Sequence, residues 1–150
     1  MNYWLMKSEP NTYSINDLKQ EQKTVWDGVR NYQARNYLRQ MQEGDLAFFY
    51  HSNAKPPGIV GMMKVIKTLV NDPTQFESSS AYYDPNSTEE NPRWQTVIVE
   101  FVSVFEEIIS LETLKENLTG DDLLVVKKGS RLSVIPVKNE VAEKILKMTK

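Results

Sequence analysis

Leu46-Ala47-Phe48-Phe49-Tyr50, the turn Pro56-Pro57-Gly58, and Ile59-Val60-Gly61-Met62-Met63-Lys64-Val65-Ile66 form the stretch that decides the fold. Two apolar runs of strand length, separated by turn-forming residues, predict two buried strands. Gly44-Asp45 closes a preceding helix, in which Ala34, Tyr37, Leu38 and Met41 recur at i, i+3, i+4 and i+7 and so share one face. Toward the N-terminus, Tyr3 to Met6 reads as a short strand closed by Pro10. Ser14, a good N-cap, opens with Asp17 a brief helical turn through Leu18. Toward the C-terminus, residues 71–93 are rich in Asn, Asp, Pro, Ser and Glu and read as a long loop, a length usually reserved for function or disorder. Trp94 to Phe105 is expected as the longest strand, with Val97, Val99 and Phe101 alternating. Ser110 is expected to cap a helix bearing Leu111, Leu114 and Leu118. Leu132 to Val137 forms a last strand, and Asn139 is expected to cap a terminal helix with Val141, Ile145 and Met148. The prediction is one α+β domain over residues 1–150, with a mostly antiparallel, barrel-like sheet.

The composition excludes much chemistry. The chain has 150 residues, 18 basic and 20 acidic, a formal charge of −2, and 40% hydrophobic residues, which suffices for a real core. With no cysteine, disulfides, thiolate metal sites and cysteine nucleophiles are ruled out. One histidine, His51, argues against His-based metal sites and hydrolytic triads. No metal or cofactor is expected. No apolar run approaches a membrane helix and no signal segment is visible, so a cytoplasmic protein is expected. The small net charge hides a division. Residues 1–71 carry nine basic and six acidic side chains, residues 72–122 two and twelve, residues 123–150 seven and two. Either these are solvated faces, or the two basic ends fold together into a face that docks an anionic polymer.

The densest polar-aromatic segment is Val25-Trp26-Asp27-Gly28-Val29-Arg30-Asn31-Tyr32-Gln33-Ala34-Arg35-Asn36. Aromatic faces stack on bases, guanidinium groups clamp phosphates, and amides read base edges. Asn31 is also placed to cap the following helix. In the bland reading, Trp26 packs on the core and the arginines are solvated. Phe49-Tyr50-His51-Ser52-Asn53 ends a buried strand. His51 and Ser52 do not form a nucleophile and base there, because neighbours on a strand point to opposite faces. Tyr50, His51 and Ser52 are instead candidates to line a pocket. Ala81-Tyr82-Tyr83-Asp84-Pro85 and Pro92-Arg93-Trp94 bring aromatics into the polar loop, either as anchors or as the wall of a pocket beside Trp26. Lys127-Lys128-Gly129-Ser130-Arg131 is a basic turn where backbone amides approach a phosphate without Cβ obstruction. No nucleotide-hydrolysis motif is present.

Eight segments in order along the chain resemble the EVE domain family, a branch of the PUA-like superfamily. They are Tyr3 to Pro10, Trp26 to Asn36, Gly44 to Ser52, Gly58 to Gly61, Tyr82 to Asp84, Pro92 to Trp94 and Arg131 to Val134, the third comprising two motifs around the strand. The chain departs from the family at Asp121 to Lys128, where many members carry a Met-Pro-Leu-type stretch. The resemblance implies a PUA-like pseudo-barrel of about five or six mostly antiparallel strands with flanking helices. Related YTH domains hold a methylated adenine in an aromatic cage, and their first strand ends in Lys-Ser as at Lys7-Ser8. By that similarity Trp26 is the first cage wall, with Lys7, Ser8 and Glu9 nearby, and Trp94, Tyr82 and Tyr32 compete for the second.

The expected function is a non-enzymatic reader of nucleic acid, DNA or RNA. A modified, flipped-out base would enter beside Trp26, with Ser8, Asn31 or Glu9 on its edge. Arg30, Arg35, Lys128, Ser130 and Arg131 would hold flanking phosphates. The rivals are a sensor of free nucleosides or nucleotides in the same pocket, an enzyme acting on a nucleobase or glycosidic bond through Asp27, Glu9 or Asp84, and a protein-interaction module using the acidic middle.

Overall fold

The computed structural model describes residues 1–149. Its frame begins at Asp45, whose side chain is 1% exposed. A carboxylate so deep must have its oxygens bonded. Oδ1 accepts from the Asn2 backbone N–H at 3.0 Å, and Oδ2 accepts from Trp4 Nε1 at 2.9 Å and from the Gln42 N–H at 3.0 Å. These bonds hold the chain start beside the entry to the central strand. Consequently β1 (Tyr3–Ser8) runs parallel to β3 (Leu46–His51), in register from Tyr3 opposite Leu46 to Ser8 opposite His51.

All other pairings are antiparallel. β4 (Gly58–Asn71) lies on β3, and β5 (Gln95–Ser110) lies on β4. β6 (Val134–Val137) pairs with β1, and the short β2 (Lys23–Val25) pairs with β5. The order across the six-stranded sheet is β2-β5-β4-β3-β1-β6. Register shifts along β4 and β5, beginning between Ile59 and Gly61, bend and twist this long ribbon. Among the described residues four helices flank the sheet: α1 (Ile15–Glu21), α2 (Tyr32–Gln40), α3 (Leu111–Asn117) and α4 (Asn139–Met148). Leu5, Phe48, Phe49, Ile59 and Met63 of the sheet form the centre of the core, with Leu18, Leu38, Leu114 and Ile145 packed from the helices. The α+β class and the mostly antiparallel six-stranded sheet agree with the sequence.

The element bounds differ in ways that have physical reasons. Ser14 does cap α1, in a reciprocal box with Asp17, but the helix continues past Leu18 to Glu21. β4 and β5 run on to Asn71 and Ser110, well beyond their apolar runs, because backbone pairing between them does not need burial on both faces. Trp94 lies before β5 rather than in it. β1 extends through Ser8, and β6 starts at Val134 rather than Leu132. β2 carries only three residues and no alternation to betray it. Asn139 is the first helical residue of α4 rather than its cap. Lys138 holds the extended cap conformation and makes no side-chain capping bond. The loop after β4 is not featureless, since Pro73–Phe76 forms a 3₁₀ turn capped by Asp72.

His51 closes β3 against the start of α1. Its Nε2 accepts from the Ile15 N–H at 3.1 Å, and its ring sits edge-on to Phe49 at 5.5 Å. An accepting nitrogen must be unprotonated. Burial lowers the His51 pKa from its ordinary 6.5. A folded pKa below the unfolded one gives stability that is fully present above the unfolded value and lost as pH falls through the folded value. Stability should therefore fall by about 1 kcal/mol for this bond between pH 7 and the acid side of the folded His51 pKa. His51→Gln, whose amide oxygen can accept the same bond, should lack that component when denaturant midpoints are compared across pH.

Candidate functional site

β1 and β3 end side by side because they are parallel, and the loop after β2 crosses in front of both ends. Between them opens a cleft of about 920 Å³. Lys7, Ser8 and Glu9 enter it from the end of β1, and Ser52 and Asn53 from beyond β3. Trp26 to Arg30 line one side, Tyr82 closes it from the long loop, and Arg131 and Ser133 approach ahead of β6. The two chain ends of net positive charge thus meet here and the acidic middle contributes Tyr82 alone, but the lining is not a basic face, since Glu9, Glu21 and Asp27 offset Lys7, Arg30 and Arg131.

The polar groups are constrained in specific ways. Ser8 Oγ donates to the Tyr13 carbonyl at 2.6 Å, so toward the cleft it offers only lone pairs. Lys7 has its pKa lowered by burial, and its Nζ stands 5.9 Å from the Tyr50 ring centroid. Among the described residues the one ion pair is Arg30 with Asp72, so the Lys7 ammonium has no carboxylate within salt-bridge distance. Glu9 accepts from Asn53 Nδ2 at 3.3 Å. The Asp27 pKa is raised, first by burial and then by the negative charge of Asp72. Tyr13 donates to Glu21 at 2.5 Å, and burial, then that bond, pushes its phenol well above the usual range.

Trp26 is a floor more than a wall. Only 6% of it is exposed, its ring meets Phe49 edge-on at 5.4 Å, and its carbonyl accepts from Thr96 Oγ1 at 2.5 Å. Tyr82 stands against Gly28, which has φ +83°, and a Cβ there would come within 2.8 Å of the Tyr82 ring. Only glycine allows this contact.

Tyr82 is placed by a buried carboxylate. Asp72, 1% exposed, accepts from the Gly28 N–H at 2.8 Å and Arg30 Nη1 at 3.0 Å on Oδ2, and from Thr74 N–H at 2.8 Å and Thr74 Oγ1 at 2.5 Å on Oδ1. Arg30 also donates to the Tyr82 carbonyl from Nε at 2.9 Å and Nη2 at 2.7 Å, to Thr74 Oγ1 at 3.0 Å and to the Val29 carbonyl at 2.9 Å. Buried Gln75 completes the anchor. Its Nε2 donates to the Asp72 and Trp94 carbonyls, and its Oε1 accepts from Ser87 Oγ and the Trp94 N–H.

These bonds redistribute the residues expected at the site. Lys7, Ser8, Glu9, Trp26, Ser52, Tyr82 and Arg131 come together on the cleft. Arg30 lines it too, but five of its donor contacts are spent inside the protein, which makes it a brace rather than a free phosphate clamp. Asn31 is not on the cleft, because its side chain caps α2 by accepting from the Ala34 N–H at 2.9 Å. Tyr32 and Trp94 stack on each other at 4.9 Å outside it, and Arg35 lies 4.6 Å over Tyr32. Of the three competing aromatics, Tyr82 alone lines the cleft. Tyr50, 3% exposed, and His51, bonded to α1, pack behind the cleft instead of lining it. Lys128 and Ser130 do not line it either, and Ser130 Oγ is buried without a protein partner. Asp84 accepts from Trp94 Nε1 at 2.8 Å, which holds its pKa low, so it is an anchor and not a poised acid. Tyr13, Asp72 and Gln75 escaped the sequence reading, and Asn53, part of the strand-end constellation, was not among its site candidates. Asp72 and Gln75 sit among many polar loop residues and differ from them only in partners far along the chain.

The chain matches the EVE domain over residues 2–148. It is 48% identical over 165 residues to mouse thymocyte nuclear protein 1, covering 98% of this chain and 73% of that one. It is similar to the crystal structure of human THYN1 protein in complex with 5-methylcytosine-containing DNA, with a TM-score of 0.89 and 42% identity over 100% of this chain and 98% of that chain. A more distant likeness, in fold alone, is to the YTH domain of a Zygosaccharomyces rouxii protein in complex with N6-methyladenosine RNA. There the TM-score is 0.57 and the identity 14%, over 99% of this chain and 86% of that chain.

Asp72→Asn tests the brace. An amide must turn its NH₂ toward donors on one side or the other, leaving a buried mismatch either beside Gly28 and Arg30 or beside Thr74. The expected loss is about 3–5 kcal/mol of stability, as for breaking a buried ion pair. A denaturant melt, together with faster proteolysis within residues 77–93, checks it.

Proposed function

The chain belongs to the EVE domain family, and on that premise we propose that it is a non-enzymatic reader of DNA that takes a modified cytosine, flipped out of its stack, into the cleft. The observation that carries this reading is that Ser8 and Lys7, the last two residues of β1, both line the cleft. Ser8 Oγ has its proton committed to the Tyr13 carbonyl and presents an acceptor, while Lys7 presents an unpaired donor. The pairing edge of cytosine offers the complement, an N4 amino donor beside two acceptors. Trp26 forms the floor and Tyr82 a side. A cleft of about 920 Å³ exceeds one base and leaves room for its sugar and phosphate. Arg131 then holds a flanking phosphate, with Lys128 and Ser130 on the turn beside it. The DNA complex of the human relative supports the ligand class. Flipping costs a few kcal/mol, which stacking and edge bonds offset.

A second reading, chemistry on the base, has one observation in its favour: Asp27 lies in the cleft with a raised pKa. Among the described residues no helix is long and apolar enough to cross a membrane.

Titration of a duplex bearing one 5-methylcytosine against the same duplex unmodified is the direct test. About tenfold or greater preference is expected, a difference near 1.4 kcal/mol. Lys7→Gln should reduce affinity for the modified duplex about tenfold with an unchanged melting temperature. Equal binding of both duplexes by the wild type overturns the reading. A base product that accumulates with the wild type but not with Asp27→Asn would favour the enzyme.

A further inference from the structure

Outside the cleft, the residues that left the expected pocket form a construction of their own. From Tyr82, a line of rings and guanidinium groups leads outward. Arg30 lies 5.6 Å from the Tyr82 ring and 5.1 Å from the Trp94 ring, Trp94 stacks on Tyr32 at 4.9 Å and 18°, and Arg35 sits 4.6 Å over Tyr32. The line starts at a wall of the cleft and ends at a tyrosine that is 52% exposed.

At that outer end two cations are gathered without an anion. Arg35 Nη1 donates to the Arg93 carbonyl at 3.0 Å, and Arg39 Nη2 reaches the same oxygen at 3.5 Å. Arg35 is further fixed by Nε and Nη2 on Asn36 Oδ1, at 3.3 and 2.9 Å. Among the described residues no carboxylate lies within salt-bridge distance of either guanidinium. Burial first, and then the positive charge of Arg39, lower the Arg35 pKa. One carbonyl oxygen does not neutralise two charges, and each guanidinium keeps donors free for an oxyanion.

We propose that Arg35 and Arg39, with Tyr32 as the platform that positions Arg35, form a second contact surface that binds the phosphodiester backbone of the same DNA whose base enters the cleft. Charge complementarity favours this occupant: two guanidinium groups share one carbonyl oxygen and have no carboxylate within salt-bridge distance among the described residues, which suits a run of phosphates. The surface lies at the far end of the line of rings and guanidinium groups that starts at Tyr82. It reads no sequence. It supplies affinity and register, while the cleft discriminates the base. The proposal rests on the cleft reading for its partner, and its failure has a separate signature.

The test compares wild type, Arg35→Gln/Arg39→Gln and Arg35→Lys/Arg39→Lys on a duplex carrying one central 5-methylcytosine and on the unmodified duplex, across a salt series. The glutamine pair should lower affinity for both duplexes about tenfold and reduce the slope of log affinity against log salt by roughly 2, near 0.9 per phosphate lost. The methylation preference should stay as in wild type, and the lysine pair should keep most of the slope. Equal melting temperatures exclude a folding effect, and if the glutamine pair is unstable, Arg39→Gln alone, which loses only one 3.5 Å contact, should still lower the slope by roughly 1 and overturns the proposal if it does not. Wild-type affinity and slope in the glutamine pair overturn the second contact while leaving the cleft intact. A wild type without methylation preference, whose slope still falls in the glutamine pair, overturns the cleft reading instead.

Discussion

A carboxylate with 1% exposure draws two distant loops onto one side of the molecule. Asp72 sits at the end of the β4 ribbon, and its oxygens collect donors from Gly28, Arg30 and Thr74. A buried charge tolerates no missing partner, so each donor has one place to be. Gly28 must adopt its positive φ, Arg30 must lie across the loop, and Tyr82 must bring its carbonyl to the guanidinium. The cleft's side is therefore a consequence of charge satisfaction more than of apolar packing. Its floor is the opposite case, since Trp26 is held by Phe49 and the β5 backbone.

Local signals made the scaffold legible. Ser14, Asn31 and Ser110 each act through a bond to a backbone N–H three residues ahead, so the cap can be read within a few letters. Apolar runs placed β3 and the first half of β4, because burial on both faces leaves a continuous signal. Where pairing alone holds a strand, as in the outer parts of β4 and β5, composition is silent. The site was legible only in outline. The Lys7-Ser8-Glu9 end of β1, Trp26 and Arg131 do meet, because motif residues near strand ends share one end of the sheet. The roles of Arg30, Tyr32 and Trp94 were not, because an arginine that braces and an arginine that binds phosphate look alike until its partners are known. Those partners lie 42 to 52 residues away.

The division of charge along the chain acquires a spatial meaning. Basic residues from both ends reach the cleft, and the acidic middle supplies the brace that shapes it. The cleft itself is balanced in sign, with Lys7, Arg30 and Arg131 facing Glu9, Glu21 and Asp27, so any attraction for an anion there is local to Lys7 and Arg131.

The parallel pairing of β1 with β3 has a kinetic side. The strands are joined through a crossover that carries α1, β2 and α2, and β1 finds its other neighbour only in β6, with Met6 opposite Val134. High contact order of this kind delays closure of the structure until distant segments meet. Lys7, Trp26, Tyr82 and Arg131 come from four separate stretches, so none of the early hairpins contains a usable cleft. During synthesis on the ribosome the β3–β4 pair can form while the cleft still lacks its final rim. The cleft is complete only when the Arg131–Ser133 segment, the latest of its walls in chain order, has joined the others.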